Sequence, residues 1–144
     1  MLVKDVMSKG AKTIELGSTV QDAAEAMNEF KIGALIVVEE GSEKMVGMLT
    51  ERDIVGFVSG GKEAGKEKVD SIMKKEVYFV RPKDDLEDAV DLMLKNKVTK
   101  LPVIEGSALV GMLTTTDIAS AEPRLLDQIV ALMSLKKQQQ TVAG

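Results

Sequence analysis

Two segments of the chain carry apolar residues three and four positions apart. These residues are Val20, Ala23, Ala24, Met27 and Phe30 in the first segment and Leu86, Ala89, Val90 and Met93 in the second. Such spacing places them on one face of an amphipathic α-helix. The pattern therefore predicts one helix in each half of the chain. Each helix is predicted to start at a capping box, formed by Ser18 with Gln21 and by Asp84 with Glu87.

Two short apolar runs follow each predicted helix. They cover residues 34–38 and 45–49 in the first half, and residues 101–104 and 109–113 in the second half. A polar turn joins the two runs of each half, which is typical of a hairpin or of a tight pair of buried strands. Each half is thus predicted to contain a strand, a helix, two further strands and a second helix. This order predicts the α/β (α+β) fold class.

The chain is duplicated internally. Residues 47–54 (GMLTERDI) return as residues 111–118 (GMLTTTDI), and residues 3–7 (VKDVM) return as residues 69–73 (VDSIM). The offset between the copies falls from 66 to 64 residues, so the second copy has lost two residues in the loop around position 41. A duplication that keeps the same polar residues at the same place predicts a pair of sites.

The duplication sets the predicted domain boundaries. The first repeat is predicted over residues 1–62 and the second over residues 63–121. The polar, glycine-rich stretch 59–68 is predicted to form an exposed linker between them. Residues 122–144 are predicted to form a C-terminal helix with an apolar face at Leu125, Ile129, Leu132 and Met133, followed by a flexible polar tail from residue 136.

Composition narrows the functional class. A chain of 144 residues with 44% hydrophobic residues predicts a folded globule rather than a disordered chain. A net charge of −4 with 3% aromatic residues argues against nucleic-acid binding. The apolar runs are too short to cross a bilayer, and the absence of cysteine fits a cytoplasmic location. The absence of histidine removes the commonest general base and metal ligand, so neither a catalytic nor a metal site is predicted.

Each repeat carries the motif Gly-x-x-Thr-x-x-Asp at the point where a strand is predicted to pass into a helix. The motif residues are Gly47, Thr50 and Asp53 in the first repeat, and Gly111, Thr114 and Asp117 in the second. Thr-x-x-Asp is a capping box that satisfies the first amides of a helix. The same groups suit a nucleotide, with amides and hydroxyl for phosphate and a carboxylate for ribose. The glycine permits a close backbone approach that a cap does not require. The two interpretations are compatible.

The duplicated order of elements around this motif resembles a tandem pair of cystathionine β-synthase (CBS) domains, a Bateman module. The resemblance covers residues 3 to about 121 and rests on residues 3–7, 46–54 and 101–103. It implies two pseudo-symmetric β-α-β-β-α repeats with small sheets packed together and flanking helices. It also implies a non-catalytic, stand-alone regulatory module that senses nucleotide or energy state through AMP, ADP, ATP or S-adenosylmethionine. In this family such modules commonly form homodimers and act on a protein partner.

In the family each ligand cleft is built across the two repeats. The resemblance implies a first cleft formed by Thr50, Arg52, Asp53, Val77, Tyr78, Val98 and Lys100. It implies a second cleft formed by Thr114, Thr116, Asp117, Ala11, Lys12, Ile32, Gly33 and Ala34. The aspartate would bind the ribose diol, and the threonine with the helix amides would bind phosphate. Because Thr116 and Ala34 replace the cations Arg52 and Lys100, the first cleft is predicted to prefer phosphorylated nucleotides. The second cleft is predicted to be weaker, empty, or suited to an uncharged adenosyl group.

Two alternatives stay open on the sequence. The chain could be a structural or protein-interaction module with vestigial clefts, in which Thr50 and Thr114 only cap helices. It could instead be an enzyme that hydrolyses or transfers a nucleotide, although such a site would have to work without histidine. Adenosine ligands should stabilise a sensor but not an interaction module with vestigial clefts. Formation of a product from the nucleotide would distinguish an enzyme from a sensor.

Overall fold

The structure is a computed structural model that describes residues Met1–Ala143, with side chains described through Leu135 and at Lys137. The described strands are β1 Thr13–Glu15, β2 Ala34–Val38, β3 Met45–Thr50, β4 Lys100–Glu105 and β5 Ala108–Thr114. The helices are α1 Val20–Phe30, α2 Glu51–Ser59, α3 Leu86–Asn96, α4 Thr115–Ala121 and α5 Leu126–Ala143. Short 3-10 helices cover Val3–Asp5, Val69–Ser71 and Pro123–Leu125. The mixed helix and strand content confirms the predicted fold class.

The contacts between residues divide the chain into two compact units that differ from the two repeats. Unit 1 comprises Met1–Gly10, Tyr78–Gly106 and the chain from Val110 onward, and unit 2 comprises Ala11–Val77 and Ser107–Leu109. Each unit therefore joins the opening segment of one repeat to the main part of the other. The predicted boundaries of the repeats describe the duplication of the sequence, and they stay a prediction.

Unit 2 is built on a three-stranded sheet in the order β1-β2-β3. β1 is parallel to β2, and β2 is antiparallel to β3 with Ala34 opposite Thr50. This register brings the start of β2 beside the end of β3, where α2 begins. The core of the unit is apolar and includes Val69 from the opening segment of the second repeat. Its buried residues are Ala23, Met27, Leu35, Val37, Leu49 and Val69.

Unit 1 contains the two-stranded sheet β4-β5. Its core draws on the N-terminal segment through Val3 and on the C-terminal helix through Ile129 and Leu132, all of them fully or almost fully buried. Of the four apolar residues predicted for the C-terminal helix, Leu125, Ile129 and Leu132 are buried in this unit, whereas Met133 is exposed. Burial of side chains from both ends of the chain contributes about 1.5–3 kcal/mol for each large residue.

The second repeat lacks a full counterpart of β1. Only a single parallel bridge joins Val80 to Val103, through the Val80 amide and the Pro102 carbonyl (3.0 Å) and the Ile104 amide and the Val80 carbonyl (2.9 Å). Pro82 and Pro102 have no backbone N–H, so the ladder cannot extend past this bridge. The predicted first strand of this repeat is therefore reduced to one residue.

The helix caps differ from the predicted ones at α1 and α3. α1 is capped by Thr19, whose side chain accepts from the Asp22 amide (3.0 Å), and not by Ser18. The return bond from the Thr19 amide is the main reason that the pKa of the Asp22 carboxyl lies below its usual value of 3.8. At α3 the N-cap residue is Asp85, which makes no side-chain cap, and the predicted cap Asp84 instead accepts from the Arg81 amide in the preceding turn. Both predicted boxes are therefore wrong.

The stretch 59–68, predicted as a linker, lies mostly exposed on unit 2. Its backbone nevertheless has a role, because the carbonyls of Ala64 and Glu67 accept from the amides of Gln21 and Val20, each at 2.9 Å. These carbonyls satisfy donors at the start of α1 that the helix itself leaves open.

α5 extends to Ala143, over much of the segment predicted as a polar tail. The predicted flexibility of that tail stays a prediction, and Gly144 lies outside the described residues. Within Met1–Ala143, the helices are too short or too polar to span a membrane.

Candidate functional site

The first copy of the threonine–aspartate motif forms a capping box at the start of α2. The Asp53 amide donates to the Thr50 hydroxyl oxygen (3.3 Å), and the Asp53 carboxylate accepts from the Thr50 amide (2.9 Å) and hydroxyl (3.0 Å). All of these bonds to the carboxylate use Oδ2. The Glu51 amide donates to the Gly33 carbonyl (3.0 Å), which ties the start of the helix to the residue before β2. The capping interpretation is therefore confirmed for this copy.

The second copy repeats the two bonds between side chain and backbone amide of this box at the start of α4. The Asp117 amide donates to the Thr114 hydroxyl oxygen (3.2 Å), and the Thr114 amide donates to Asp117 Oδ2 (3.1 Å). The Thr115 amide donates to the Thr99 carbonyl (3.1 Å), as Glu51 does to Gly33. One interaction has no counterpart in the first copy: the Ser8 hydroxyl donates to both carboxylate oxygens of Asp117, at 3.3 and 3.4 Å.

The motif glycines are packed against the chain itself. A Cβ atom at Gly47 would lie 2.6 Å from the sulfur of Met73 and 2.8 Å from the Lys74 carbonyl oxygen. At Gly111 it would lie 2.8 Å from the Ser8 carbonyl oxygen and 2.9 Å from the sulfur of Met7. The close backbone approach predicted for these glycines is thus present, but its partner is the opening segment of a repeat. The glycines consequently give no support to a ligand over a cap.

The residues predicted for the first cleft are distributed over both units. Thr50, Arg52, Asp53 and Val77 belong to unit 2, whereas Tyr78, Val98 and Lys100 belong to unit 1. Arg52 is exposed and forms no ion pair with the described side chains. Tyr78 is 51% exposed, and Val98 packs against the core of unit 1. The combination of these residues in one cleft stays a prediction.

The residues predicted for the second cleft are divided in the same way. Ala11, Lys12, Ile32, Gly33 and Ala34 belong to unit 2, whereas Thr114, Thr116 and Asp117 belong to unit 1. Within unit 2, Ala34 lies opposite Thr50 in the sheet. Lys12 lies over the ring of Phe30, with Nζ 4.4 Å from the ring centroid, which holds its charge beside α1. This second cleft likewise stays a prediction.

Each capping box leaves groups that a ligand could use. Among the residues that the structure describes, the second helical amide of each copy, from Arg52 and from Thr116, meets no acceptor. Asp53 Oδ1 is also left without a donor in that part of the chain. A free amide at the positive end of a helix beside a free carboxylate oxygen can bind an anion and a hydroxyl pair.

Two cavities of unit 2 are lined by residues outside the predicted clefts. One, of about 520 Å³, lies between α1 and α2 and is lined by Ala24, Met27, Asn28, Lys31, Glu51, Ile54 and Val55. The other, of about 340 Å³, is lined by Leu16, Gly17, Glu39, Glu40, Lys68 and Asp70. Side chains in the described part of the chain provide no group of three or more potential metal ligands.

Sequence reasoning missed Ser8 and Lys74. Each directly follows the methionine that ends the opening segment of its repeat, at Met7 and Met73. Alignment of the two repeats pairs these positions and shows that they differ in charge. That signal was available, but nothing in the sequence indicated that position 8 reaches a carboxylate 109 residues away.

Comparison with known proteins supports the duplicated organisation. The model of the CBS domain matches this chain twice, at residues 3–60 and 69–124. The CBS domain-containing protein YhcV of Bacillus subtilis is 36% identical over 117 residues, which cover 81% of this chain and 82% of YhcV.

Solved structures of CBS proteins share the fold. The CBS domain protein TA0289 from Thermoplasma acidophilum has a TM-score of 0.78 and 26% identity, and the match covers 93% of this chain and 76% of TA0289. The CBS domain pair of protein MJ0100, in complex with 5′-methylthioadenosine and S-adenosyl-L-methionine, has a TM-score of 0.73 and 26% identity, with coverage of 83% and 94%. Both matches of the family model and these structural likenesses lead to one conclusion: the chain belongs to the CBS domain family.

Proposed function

We propose that this protein is a non-catalytic regulatory module that binds adenosine-containing ligands at its two threonine–aspartate motifs. The observation that carries the proposal is the duplicated capping box, which holds a carboxylate and a free helix amide side by side in each copy. The CBS domain pair of MJ0100, which is bound to two adenosine derivatives, supports this class of ligand. AMP, ADP, ATP and S-adenosylmethionine are the candidates.

The proposed chemistry assigns one part of the ligand to each group. Asp53 and Asp117 accept hydrogen bonds from the ribose hydroxyls, and bonds to a charged acceptor contribute about 1.5–3 kcal/mol each. The amides of Arg52 and Thr116 donate to a phosphate or to another negative group. The remaining residues of the predicted clefts would hold the adenine through apolar and backbone contacts.

The two sites are proposed to select different ligands. Arg52, and Lys100 in the predicted first cleft, would favour AMP, ADP or ATP at the Asp53 site, because each cation strengthens phosphate binding. The Asp117 site, with Thr116 in place of Arg52, would suit an uncharged adenosyl group. A ligand can regulate this module only if it binds one of two conformations more tightly than the other. The proposal therefore includes a change of conformation on ligand binding, which a protein effector in the cytoplasm detects.

A homodimer is proposed as the functional form. The exposed residues Val55 and Val58 on α2 and Phe30 at the end of α1 are large and apolar. Of these residues, Val55 lines the groove between the two helices. An exposed apolar surface of this kind is typical of an interaction site.

A second candidate function, an interaction module with vestigial clefts, is favoured by a specific observation. Both motif threonines are engaged as helix caps, and both motif glycines are packed against the chain's own opening segments. These contacts account for the conservation of the pattern between the two copies without a ligand. The two candidates therefore differ in their response to ligands rather than in their fold.

The test is a thermal-shift panel at fixed protein concentration with AMP, ADP, ATP, S-adenosylmethionine, NAD and GTP. A ligand at 100 times its dissociation constant adds about 2.7 kcal/mol to the free energy of unfolding, which raises the midpoint measurably. We expect an adenosine ligand, but not GTP, to raise it. Asp53→Ala should abolish this rise, whereas the control Asp70→Ala, which removes an exposed carboxylate of unit 2 outside the motif, should respond like the wild type. A panel without any shift would favour the interaction module.

A further inference from the structure

The duplication makes Ser8 and Lys74 equivalent positions, and the structure gives them the same backbone geometry. Ser8 forms an antiparallel bridge with Met112 in unit 1, through two N–H···O bonds of 2.9 Å. Lys74 forms the same bridge with Met48 in unit 2, again through two bonds of 2.9 Å. Each bridged methionine lies two residues before a motif threonine. The two copies therefore serve as internal controls for one another.

In unit 1 the side chain at this position points to the motif carboxylate. The Ser8 hydroxyl donates to Asp117 at 3.3 and 3.4 Å. Because the backbone bridge and the capping box are repeated in unit 2, the direction equivalent to that of the Ser8 side chain leads from Lys74 toward Asp53. Its four-carbon stem is longer than that of serine, so its ammonium group can reach past the carboxylate.

Lys74 is exposed and forms no ion pair with the side chains that the structure describes. Its neighbour Lys75 is equally exposed but takes no part in the bridge. The position equivalent to Ser8 thus carries an exposed positive charge in the unit that also contains Asp53 and Arg52. In unit 1 the same position presents a neutral hydroxyl that the carboxylate already binds.

We propose that Lys74 is a specificity-determining residue of the Asp53 site, where its ammonium group binds the phosphate of an adenosine nucleotide whose ribose is held by Asp53. Ser8, at the equivalent position, adds no charge to the Asp117 site. This inference rests on the proposed function and deepens it: the ligand class of the Asp53 site is a 5′-phosphorylated adenosine. The charge at position 74 thereby adds to that of Arg52 in distinguishing AMP from adenosine.

The test measures dissociation constants of AMP and adenosine by titration calorimetry for the wild type and for Lys74→Ser. Loss of one charge-assisted contact should weaken AMP about tenfold and leave adenosine within about twofold. Lys74→Arg should retain AMP binding, and the matched control Lys75→Ser should leave both constants unchanged. The preference for AMP should also weaken as salt is raised in the wild type, and less so in Lys74→Ser.

The outcomes separate this inference from the proposed function. If the wild type binds AMP but Lys74→Ser keeps the same ratio of AMP to adenosine affinity, the role of Lys74 is overturned and the sensor stands. If Lys74→Ser weakens both ligands alike, the residue supports the site without selecting phosphate, and the inference is again overturned. If the wild type binds neither ligand, the proposed function fails and this inference with it.

Discussion

The two motif copies are nearly identical as helix caps and different as chemical environments. Thr50 with Asp53 and Thr114 with Asp117 form the same box with bond lengths within a few tenths of an ångström. Around them the residues diverge, because only Asp117 accepts from Ser8 and only Asp53 has arginine at the preceding position. The shared part therefore serves folding, and the ligand selectivity proposed for the two sites would have to reside in the part that differs.

The comparison also separates two roles that the sequence motif combines. Each glycine lies against the opening segment of a repeat, and this packing is needed whether or not a ligand binds. Each aspartate completes a cap, but the carboxylate of Asp53 keeps one oxygen that its own box does not use. A motif of this kind thus supports a ligand site only through groups that are left after the fold has been satisfied.

The largest expected effect comes from the glycines. Gly47→Ala and Gly111→Ala each place a methyl group within 3 Å of a backbone carbonyl, at Lys74 and Ser8 respectively. Overpacking of this kind costs about 1–3 kcal/mol of the free energy of unfolding. Both variants should lose stability to a similar degree in urea denaturation, because the two contacts are equivalent.

Gly56→Ala is the matched control for the glycine variants. It lies inside α2, and an added Cβ meets nothing within 4 Å. This variant should gain up to about 1 kcal/mol from the better helix propensity of alanine. A clear loss of stability in Gly56→Ala, or none in Gly47→Ala, would contradict the packing role of the motif glycines.

The next effect tests the equality of the two caps. Thr50→Ala and Thr114→Ala each remove a hydroxyl that accepts from an amide at the third helical position, and each should cost about 1 kcal/mol. Thr50→Ser and Thr114→Ser keep the acceptor and should recover most of the loss. Chemical denaturation monitored by circular dichroism measures all four. A cost at only one of the two copies would show that the boxes are not equivalent.

The smallest effect is expected at Ser8. Its bonds to Asp117 are long and the side chain is exposed, so Ser8→Ala should change the free energy of unfolding by less than about 0.5 kcal/mol. The same denaturation experiment, with Ser107→Ala as an exposed serine of unit 2, provides the comparison. A loss above 1 kcal/mol would mean that the Ser8 hydroxyl has a structural role that the geometry does not indicate.

The sequence predicted local features well and distant ones poorly. The helix predicted from Val20 to Phe30 has those ends in the structure, since apolar spacing determines which face is buried. The cap of α1 was misplaced by one residue because Ser18 and Thr19 are both good caps. The first strand of the second repeat is missing because of its prolines. These prolines are visible in the sequence, but the strand was predicted from the duplication alone.

Features that depend on the distant packing of segments could not be predicted. The grouping of Met1–Gly10 with the second repeat and the contact of Ser8 with Asp117 join residues about a hundred positions apart. Periodicity and spacing contain no information on such pairs. For the candidate site, the capping geometry could be predicted from the sequence. The packing of the motif glycines against the opening segments of the repeats could be seen only in the structure.

The most direct test of the difference between the two copies compares AMP binding to Asp53→Ala and Asp117→Ala by titration calorimetry. Each variant keeps the threonine cap but loses the bond from the threonine amide to the carboxylate, so this part of the structural effect is shared, and similar thermal midpoints of the two variants would verify it. The account predicts that Asp53→Ala weakens AMP binding at least tenfold, whereas Asp117→Ala changes it by less than about threefold. A greater loss of AMP affinity in Asp117→Ala than in Asp53→Ala would contradict the account.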